Sequence, residues 1–238
     1  MITPHCGGLT FVHKKNFMQY QQTKYNTVKR GAKRATYDKQ VIHSILDASN
    51  ICFMAFMFEG KPFVQPINYG RKNETLYMHG SLQNRMTAAV LAADEVCLNV
   101  TLLDAMLLTH SAYHHSVNFR SAVIFGKARE LKNDEEKLEG IEALVNHFVP
   151  DRWQHCRKPN DKELKATRVI AIDIISASAK IKNTLPNDNE EDLNLDFWAG
   201  VIPIKHICEK PLADERTDAL KPIPEHVLAF YEKYKNGF

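Results

Sequence analysis

Leu76-Tyr77-Met78-His79-Gly80-Ser81-Leu82-Gln83-Asn84-Arg85-Met86 decides how the rest of the chain is read. A short apolar strand runs into a His-Gly-Ser corner. A helix-compatible segment follows, with an arginine in its first turn. A glycine corner, a hydroxyl, exposed backbone N–H groups at a helix start and a guanidinium together suit an anion. The plainer reading is a helix capped by Ser81 with Arg85 on its surface. The flanking chain has to decide between them.

Upstream, Ile51 to Phe58 is a continuous apolar run of strand length, and Glu59-Gly60-Lys61-Pro62 is a turn. Phe63 to Gly70 continues as a second strand in which Pro66 marks an edge or a bulge. Residues 71–74 turn the chain into the strand that reaches His79. Three strands joined by tight turns predict an antiparallel meander. Before it, Asp38 caps an amphipathic helix running to Ser49, with Val41, Ile42, Ile45 and Leu46 on one face.

Downstream, Asn84 to Ala93 has helical composition. Glu95 to Asp104 alternates as a strand, and Ala105 to Ala112 prolongs it beyond a bulge. Val117 to Leu131 is a long strand. Asn133 or Asp134 caps a helix to about Phe148, with Glu135 and Glu136 complementing its dipole. Residues 151–165 form a polar loop with a short helical turn, and Arg168 to Ala177 is a β-branched strand. An acidic loop spans 184–196, Trp198 to Ile204 closes the core, and a terminal helix covers Pro224 to Tyr234. Six or seven strands in hairpin order, interrupted by helices, predict a mainly β fold with appended helices. A closed or split antiparallel barrel fits this order better than a doubly wound parallel sheet.

At 238 residues, 44% hydrophobic and 25% charged, the chain is ordinary for a globular protein. A net charge of +3 is too small to argue for nucleic acid. No apolar run reaches the length of a membrane span and no signal-peptide core opens the chain, so a cytoplasmic location is expected. Five scattered cysteines without a C-x-x-C predict free thiols. Residues 1–33 form a basic extension without Asp or Glu, including Lys14, Lys15, Lys24, Lys29, Arg30 and Lys33. It reads as partly disordered or lying over the domain surface.

Two further segments carry chemistry. His110 to Val123 holds three histidines within six residues, but no Asp, Glu or Cys at helpful spacing, so no metal site is expected. Arg120 and Ser121, where the strand begins, are a second set of anion- or carbonyl-binding groups. In Asp196 to Pro203, Trp198 stands beside small residues and a proline, as a core plug or as a wall for a planar cofactor. There is no G-x-G-x-x-G, P-loop, G-x-S-x-G or H-E-x-x-H.

Taken in order, Arg34-x-x-Tyr37-Asp38, Pro66, Leu76-Tyr77-x-His79-Gly80, Val96-Cys97-Leu98-x-Val100-Thr101, His115-Ser116-x-Asn118-Phe119-Arg120-Ser121 and Trp198-Ala199-Gly200-Val201-Ile202-Pro203 resemble a known set. It is that of the pyridoxamine 5′-phosphate oxidase-like, FMN-binding split-barrel superfamily, closest to its 5-nitroimidazole resistance branch. The resemblance covers roughly 34–205, leaving 206–238 as a linker and helix. It implies a six-stranded antiparallel split β-barrel, working as a homodimer with FMN at the interface.

The resemblance also implies roles for residues. Ser81 and Arg85, with Gly80 at the corner, hold the FMN phosphate. Asn118, Arg120 and Ser121 contact the flavin or its ribityl-phosphate arm, and Trp198 approaches it from the partner. His79 lies beside the flavin as the candidate catalytic group, exchanging a proton with a small-molecule redox substrate. Ser81-Leu82-Gln83-Asn84-Arg85 stands where true pyridoxamine phosphate oxidases have Ser-Arg-Lys. Only Lys205-His206 stands near their substrate-gripping arginine and histidine. The expectation is therefore an FMN-dependent oxidoreductase that does not oxidise vitamin B6. The alternatives are a flavin-binding or sensing module without turnover, and a haem-binding split barrel, since related barrels handle haem and the chain has eleven histidines.

Overall fold

The computed structural model describes residues 18–217 and 221–237. In chain order it contains β1 (Ala35–Thr36), α1 (Lys39–Asp47), β2 (Ile51–Phe58), β3 (Lys61–Asn68), β4 (Gly70–Lys72), β5 (Thr75–Ser81) and α2 (Arg85–Ala92). After these come β6 (Val96–Leu108), β7 (Ser116–Leu131), α3 (Asp134–Phe148), α4 (Asp161–Ala166), β8 (Thr167–Lys182), β9 (Gly200–Pro203) and α5 (Glu225–Tyr234). The strands form one antiparallel sheet in the order β3-β2-β6-β7-β8-β5-β4, with β1 on β8 and β9 on β6. Six strands are long and three short, which is the split-barrel plan expected from sequence. Pro66 lies in β3, the strand at one end of the order, where its missing N–H interrupts no inner ladder.

Helix α1 forms because Asp38 accepts a hydrogen bond from the Val41 N–H and because Ile42, Ile45 and Leu46 share one face. Those three are fully buried against Met54, Leu98, Ile124 and Ile172, the main core. Removing each such side chain from water contributes about 1.5–3 kcal/mol. Helix α3, capped by Asn133, covers the other face of β5. Leu76 and Met78 point into the main core, whereas Tyr77 packs with Leu131, Leu144 and Val169 under α3. All three are buried because strand alternation delivers side chains to two covered faces.

Two features tie the ends of the chain to the barrel. The β6–β7 register shifts between Leu103 and Ala105, a bulge at Asp104. The freed Asp104 carbonyl accepts the Ile204 N–H, so the bulge anchors the chain just after β9. The second feature is the segment before α1. Residues 1–17, with Cys6, Lys14 and Lys15, lie outside the described residues. Residues from 18 on pack on the barrel: the buried Tyr20 hydroxyl donates to the Glu74 carboxylate at 2.6 Å and meets His43 Nε2 at 2.9 Å. Asn26, also buried, donates its amide to the Ala177 carbonyl. Cys52, Cys97, Cys156 and Cys208 are free thiols, and burial pushes the Cys52 thiol up to about 12.

Candidate functional site

Strand β5 ends at Ser81, and the chain turns there. The Ser81 hydroxyl accepts from the Gln83 N–H, and its carbonyl accepts from the Asn84 N–H. The residue that caps α2 is Asn84, whose side chain accepts from the Met86 N–H at 2.9 Å. Ser81 is therefore not the cap, because two residues of turn separate it from Asn84. Gly80 is needed where it stands: a Cβ there would meet the Thr87 methyl at 3.1 Å and the Asn84 amide nitrogen at 3.3 Å. His79, Gly80, Ser81 and Arg85 thus share one corner.

Arg85 is exposed, with its guanidinium 4.9 Å from the Phe63 ring centroid and 5.4 Å from that of Phe58. This holds the charge over the β2–β3 hairpin. Phe63 also lines an apolar hollow of about 480 Å³, with Phe56, Val64, Ala89, Ala92 and Val96. Arg85 does not itself line the hollow, which also holds Glu95; the Phe63 ring is what the guanidinium and the hollow share.

The corner holds a second arginine that the sequence reading does not single out. Arg168 lies opposite Gly80 in the β5–β8 ladder. It donates to the Leu82 carbonyl at 3.1 Å and the Thr87 hydroxyl at 3.3 Å, and pairs with Glu130. Only the strand pairing reveals it, since Gly80 and Arg168 are far apart in sequence.

The other expected groups lie elsewhere in the chain. Gly80 faces Arg168 at one end of β8, whereas Arg120 and Ser121 face Ile181 and Lys180 at the other. At roughly 3.3 Å per residue this is on the order of 40 Å of strand. Arg120 holds Asp104 through two nitrogens, the shorter contact 2.7 Å. Both line a separate cavity of about 800 Å³ between the barrel, α3 and α5. The Ser121 hydroxyl donates to the Lys180 carbonyl at 3.4 Å. Asn118 is buried, and its amide exchanges two hydrogen bonds with the Thr184 backbone, which gives it a loop-anchoring role. Trp198 is 67% exposed, and its indole lies where a Cβ on Gly200 would come within 2.6 Å.

The histidine-rich segment is tied up locally. His110 Nδ1 meets the Asp188 carboxylate at 2.9 Å, and that carboxylate also accepts the His110 and Ser111 N–H groups. His115 Nδ1 lies within hydrogen-bond reach of Thr109 and Ser111. Among the described residues no group of three or more His, Cys, Asp or Glu is placed to hold a metal ion.

Burial lowers the pKa of His147, desolvation with the nearby Arg71 lowers that of His43, and partial desolvation by its neighbours lowers that of His79 although its side chain is exposed. All three are neutral in the folded protein at neutral pH. Their folded pKa values lie below the ordinary 6.5, so the unfolded chain takes up protons first as the pH falls. The contribution is complete above about 6.5 and is lost as the pH drops through the folded values. Thermal melts taken between about pH 7.5 and about pH 5 should show Tm falling on the acid side. A His147→Gln variant should lose part of that slope; an unchanged slope would show that His147 does not contribute to it.

Comparisons with known proteins bear on what occupies these sites. Residues 38–181 match the family described as pyridoxamine 5′-phosphate oxidase. The solved structure of the flavocytochrome Anf3 from Azotobacter vinelandii is similar at 35% identity and a TM-score of 0.81, over 87% of this chain and 96% of that one. A FAD- and haem-binding protein from Mycobacterium smegmatis is similar at 29% identity and a TM-score of 0.77, over 82% and 96%. A structure described as that of a 5-nitroimidazole antibiotic resistance protein from Bacteroides thetaiotaomicron shares the fold, at 24% identity and a TM-score of 0.54, over 62% and 86%. No curated protein matches. No helix among the described residues is long and apolar enough to cross a membrane. The family match over more than half the chain, together with the six-stranded antiparallel plan, means that this chain belongs to the pyridoxamine 5′-phosphate oxidase family and has its split-barrel fold.

Proposed function

We propose that the protein is a flavin- and haem-binding oxidoreductase, with the flavin phosphate at the Gly80–Arg85 corner and the ring system along the Phe63 hollow. The observation that carries this reading is the likeness to a flavocytochrome over 87% of the chain, joined to a corner with the right chemistry. The sequence alone points to FMN. The relative described as binding FAD and haem matches 82% of this chain, and we take FAD as the flavin. The two arginines at the corner have different parts. Arg85 is free to turn toward an anion, and Arg168 holds the Leu82 carbonyl so that the turn after Ser81 keeps its shape.

A bound flavin supplies two-electron redox chemistry and a bound haem one-electron chemistry. The protein's own part is to anchor, orient and move protons. His79, neutral at neutral pH and one residue before the corner, is placed to exchange a proton with a substrate at the flavin edge. Ser121 reaches that flavin only from a second copy of the chain, because the length of β8 separates it from the corner in its own, and Trp198, exposed beside β9, is taken to come from the same partner. The reading is therefore of a homodimer, with each site completed by its partner.

The test is the visible spectrum of the purified protein. Flavin bands and a Soret band are expected together, with FAD in the supernatant after denaturation. FMN in that supernatant would correct the flavin's identity alone. A protein that shows neither band and takes up neither added flavin nor hemin would end the proposal. Rapid reduction by NAD(P)H followed by reoxidation with an acceptor separates the enzyme from a binding module.

A further inference from the structure

We propose that α5 is a pH-operated lid on the cavity of about 800 Å³ between the barrel and α3, docked while His226 is neutral and released when His226 takes up a proton. The device goes beyond the flavin-and-haem reading and needs neither cofactor.

Little holds α5 down. Helix α1 buries Ile42, Ile45 and Leu46, and α3 buries Gly140, Ala143 and Leu144, whereas α5 buries no residue. It closes the cavity with Phe230, Lys233 and Tyr234, facing walls from α3 and β6. At its last turn the Tyr234 carbonyl accepts the Cys208 N–H at 3.1 Å. At its first turn the His226 ring lies on the His155 ring, with centroids 4.2 Å apart and planes 12° from parallel. His155 ends the turn Arg152–His155 that follows α3, so the stack fastens the lid to the body of the protein. Much of the cavity lining is polar, with Asp47 paired to Arg71 and Asp104 to Arg120. Water that enters meets groups it can solvate, so opening this cavity is less unfavourable than opening an apolar core.

His226 makes the fastening sensitive to acid. Both its ring nitrogens are shut off from solvent, and neither has a hydrogen-bond partner among the described residues. An imidazolium there would bring two N–H donors and a charge with no acceptor for either. The charged groups that act on it come from the turn it packs on: His155 and Arg152 oppose a positive charge, and Asp151 favours one. On α5 itself the neighbour Glu225 is exposed to solvent. Loss of solvent contact is the largest influence and, with His155 and Arg152, holds His226 below the ordinary 6.5. Once α5 is released, His226 returns to the ordinary value, so the released state binds the proton more tightly. Docking is therefore at full strength above about 6.5 and weakens as the pH falls through the docked value. A helix of ten residues is below the roughly 12–15 needed to persist alone, so a released α5 also loses its backbone hydrogen bonds.

The experiment is amide hydrogen exchange of the full-length protein, read by NMR at about pH 7.5 and about pH 5 and corrected for intrinsic rates. In wild type, protection of the α5 amides should fall by up to about tenfold per pH unit below about 6.5, the limit for one linked proton. The Cys208 amide should follow α5, because its acceptor is the Tyr234 carbonyl, whereas the Ile204 amide, held by the Asp104 carbonyl, should stay protected. His226→Phe and His226→Leu, which cannot titrate, should keep α5 protected at both pH values. His155→Phe should keep the acid response, because His226 still lacks an acceptor. Three results would overturn the proposal: α5 protection that does not change with pH in wild type, an equal loss in the two His226 variants, or loss of protection in α1 and the barrel strands together with α5, which is global unfolding rather than a lid.

Discussion

Gly70→Ala is expected to destabilise the protein by about 3 kcal/mol and to lower Tm by roughly 6–12 °C. Gly70 opens β4, pairs with Tyr77 and lies directly under α3. A Cβ there would stand 2.5 Å from the Ala143 carbonyl oxygen, 2.6 Å from the Leu144 Cα and 2.7 Å from the Ala143 carbonyl carbon. All three are backbone atoms, so no side chain can rotate away. Helix α3 must lift off the sheet, and Tyr77, Leu131, Leu144 and Val169 then lose contact together. The same helix carries His147 and Ala143 into the wall of the large cavity, so that pocket should change shape as well. Gly60→Ala is the control. It has nothing within 4 Å but sits at φ +74°, so only the conformational cost of about 1 kcal/mol applies. Thermal or chemical denaturation separates the two; a Gly70→Ala protein as stable as Gly60→Ala would refute the close approach as the cause.

Arg85→Ala should weaken flavin binding by about tenfold to a hundredfold, the worth of roughly 1.5–3 kcal/mol for a hydrogen bond to a charged group. Stability should hardly change. Arg85 is exposed and touches the rings of Phe58 and Phe63 rather than any fully buried residue. An exposed guanidinium lying on aromatic faces gains only about 0.5–1 kcal/mol. Removing it therefore costs the folded protein little, so a loss of flavin affinity would report on the ligand contact itself. Fluorescence titration of the apoprotein with FAD and with FMN measures the effect. Arg85→Lys should recover part of it, because a lysine keeps the charge without the fork. Equal affinity in Arg85→Ala and wild type would mean the phosphate lies elsewhere, and Arg168 would be the next residue to change.

Local pattern is enough for most of the elements. Asp38 before Val41, Ile42 and Ile45, and Asn133 before three acidic residues, are start signals that depend only on nearest neighbours in the helix. The extension of β6 past a bulge is legible for the same reason: alternation fails locally where the register shifts. The cap of α2 is not. Serine and asparagine both cap well, and only the turn closed by the Asn84 N–H and the Ser81 carbonyl shows that Asn84, not Ser81, precedes the helix. Nor does the sequence say which part of the basic leader lies on the domain. Tyr20 and Asn26 are polar enough to be exposed, and their partners, Glu74, His43 and the Ala177 carbonyl, come from distant elements.

Short windows of sequence suffice for the corner: a strand, a glycine that leaves room for Asn84 and Thr87, a hydroxyl and an arginine, all within a few residues of one another. They suffice for the split-barrel plan as well, because hairpin order and alternation are themselves local properties. Which of the remaining groups belong together was settled only by the folded arrangement. Strand register set Arg168 beside the corner and carried Arg120 and Ser121 to the far end of β8. Docking of α5 and of the chain after β9 then enclosed Arg120, His147 and His206 around a second cavity. Pairing between strands and packing between helices join residues far apart in the chain, and no local periodicity encodes which ones meet.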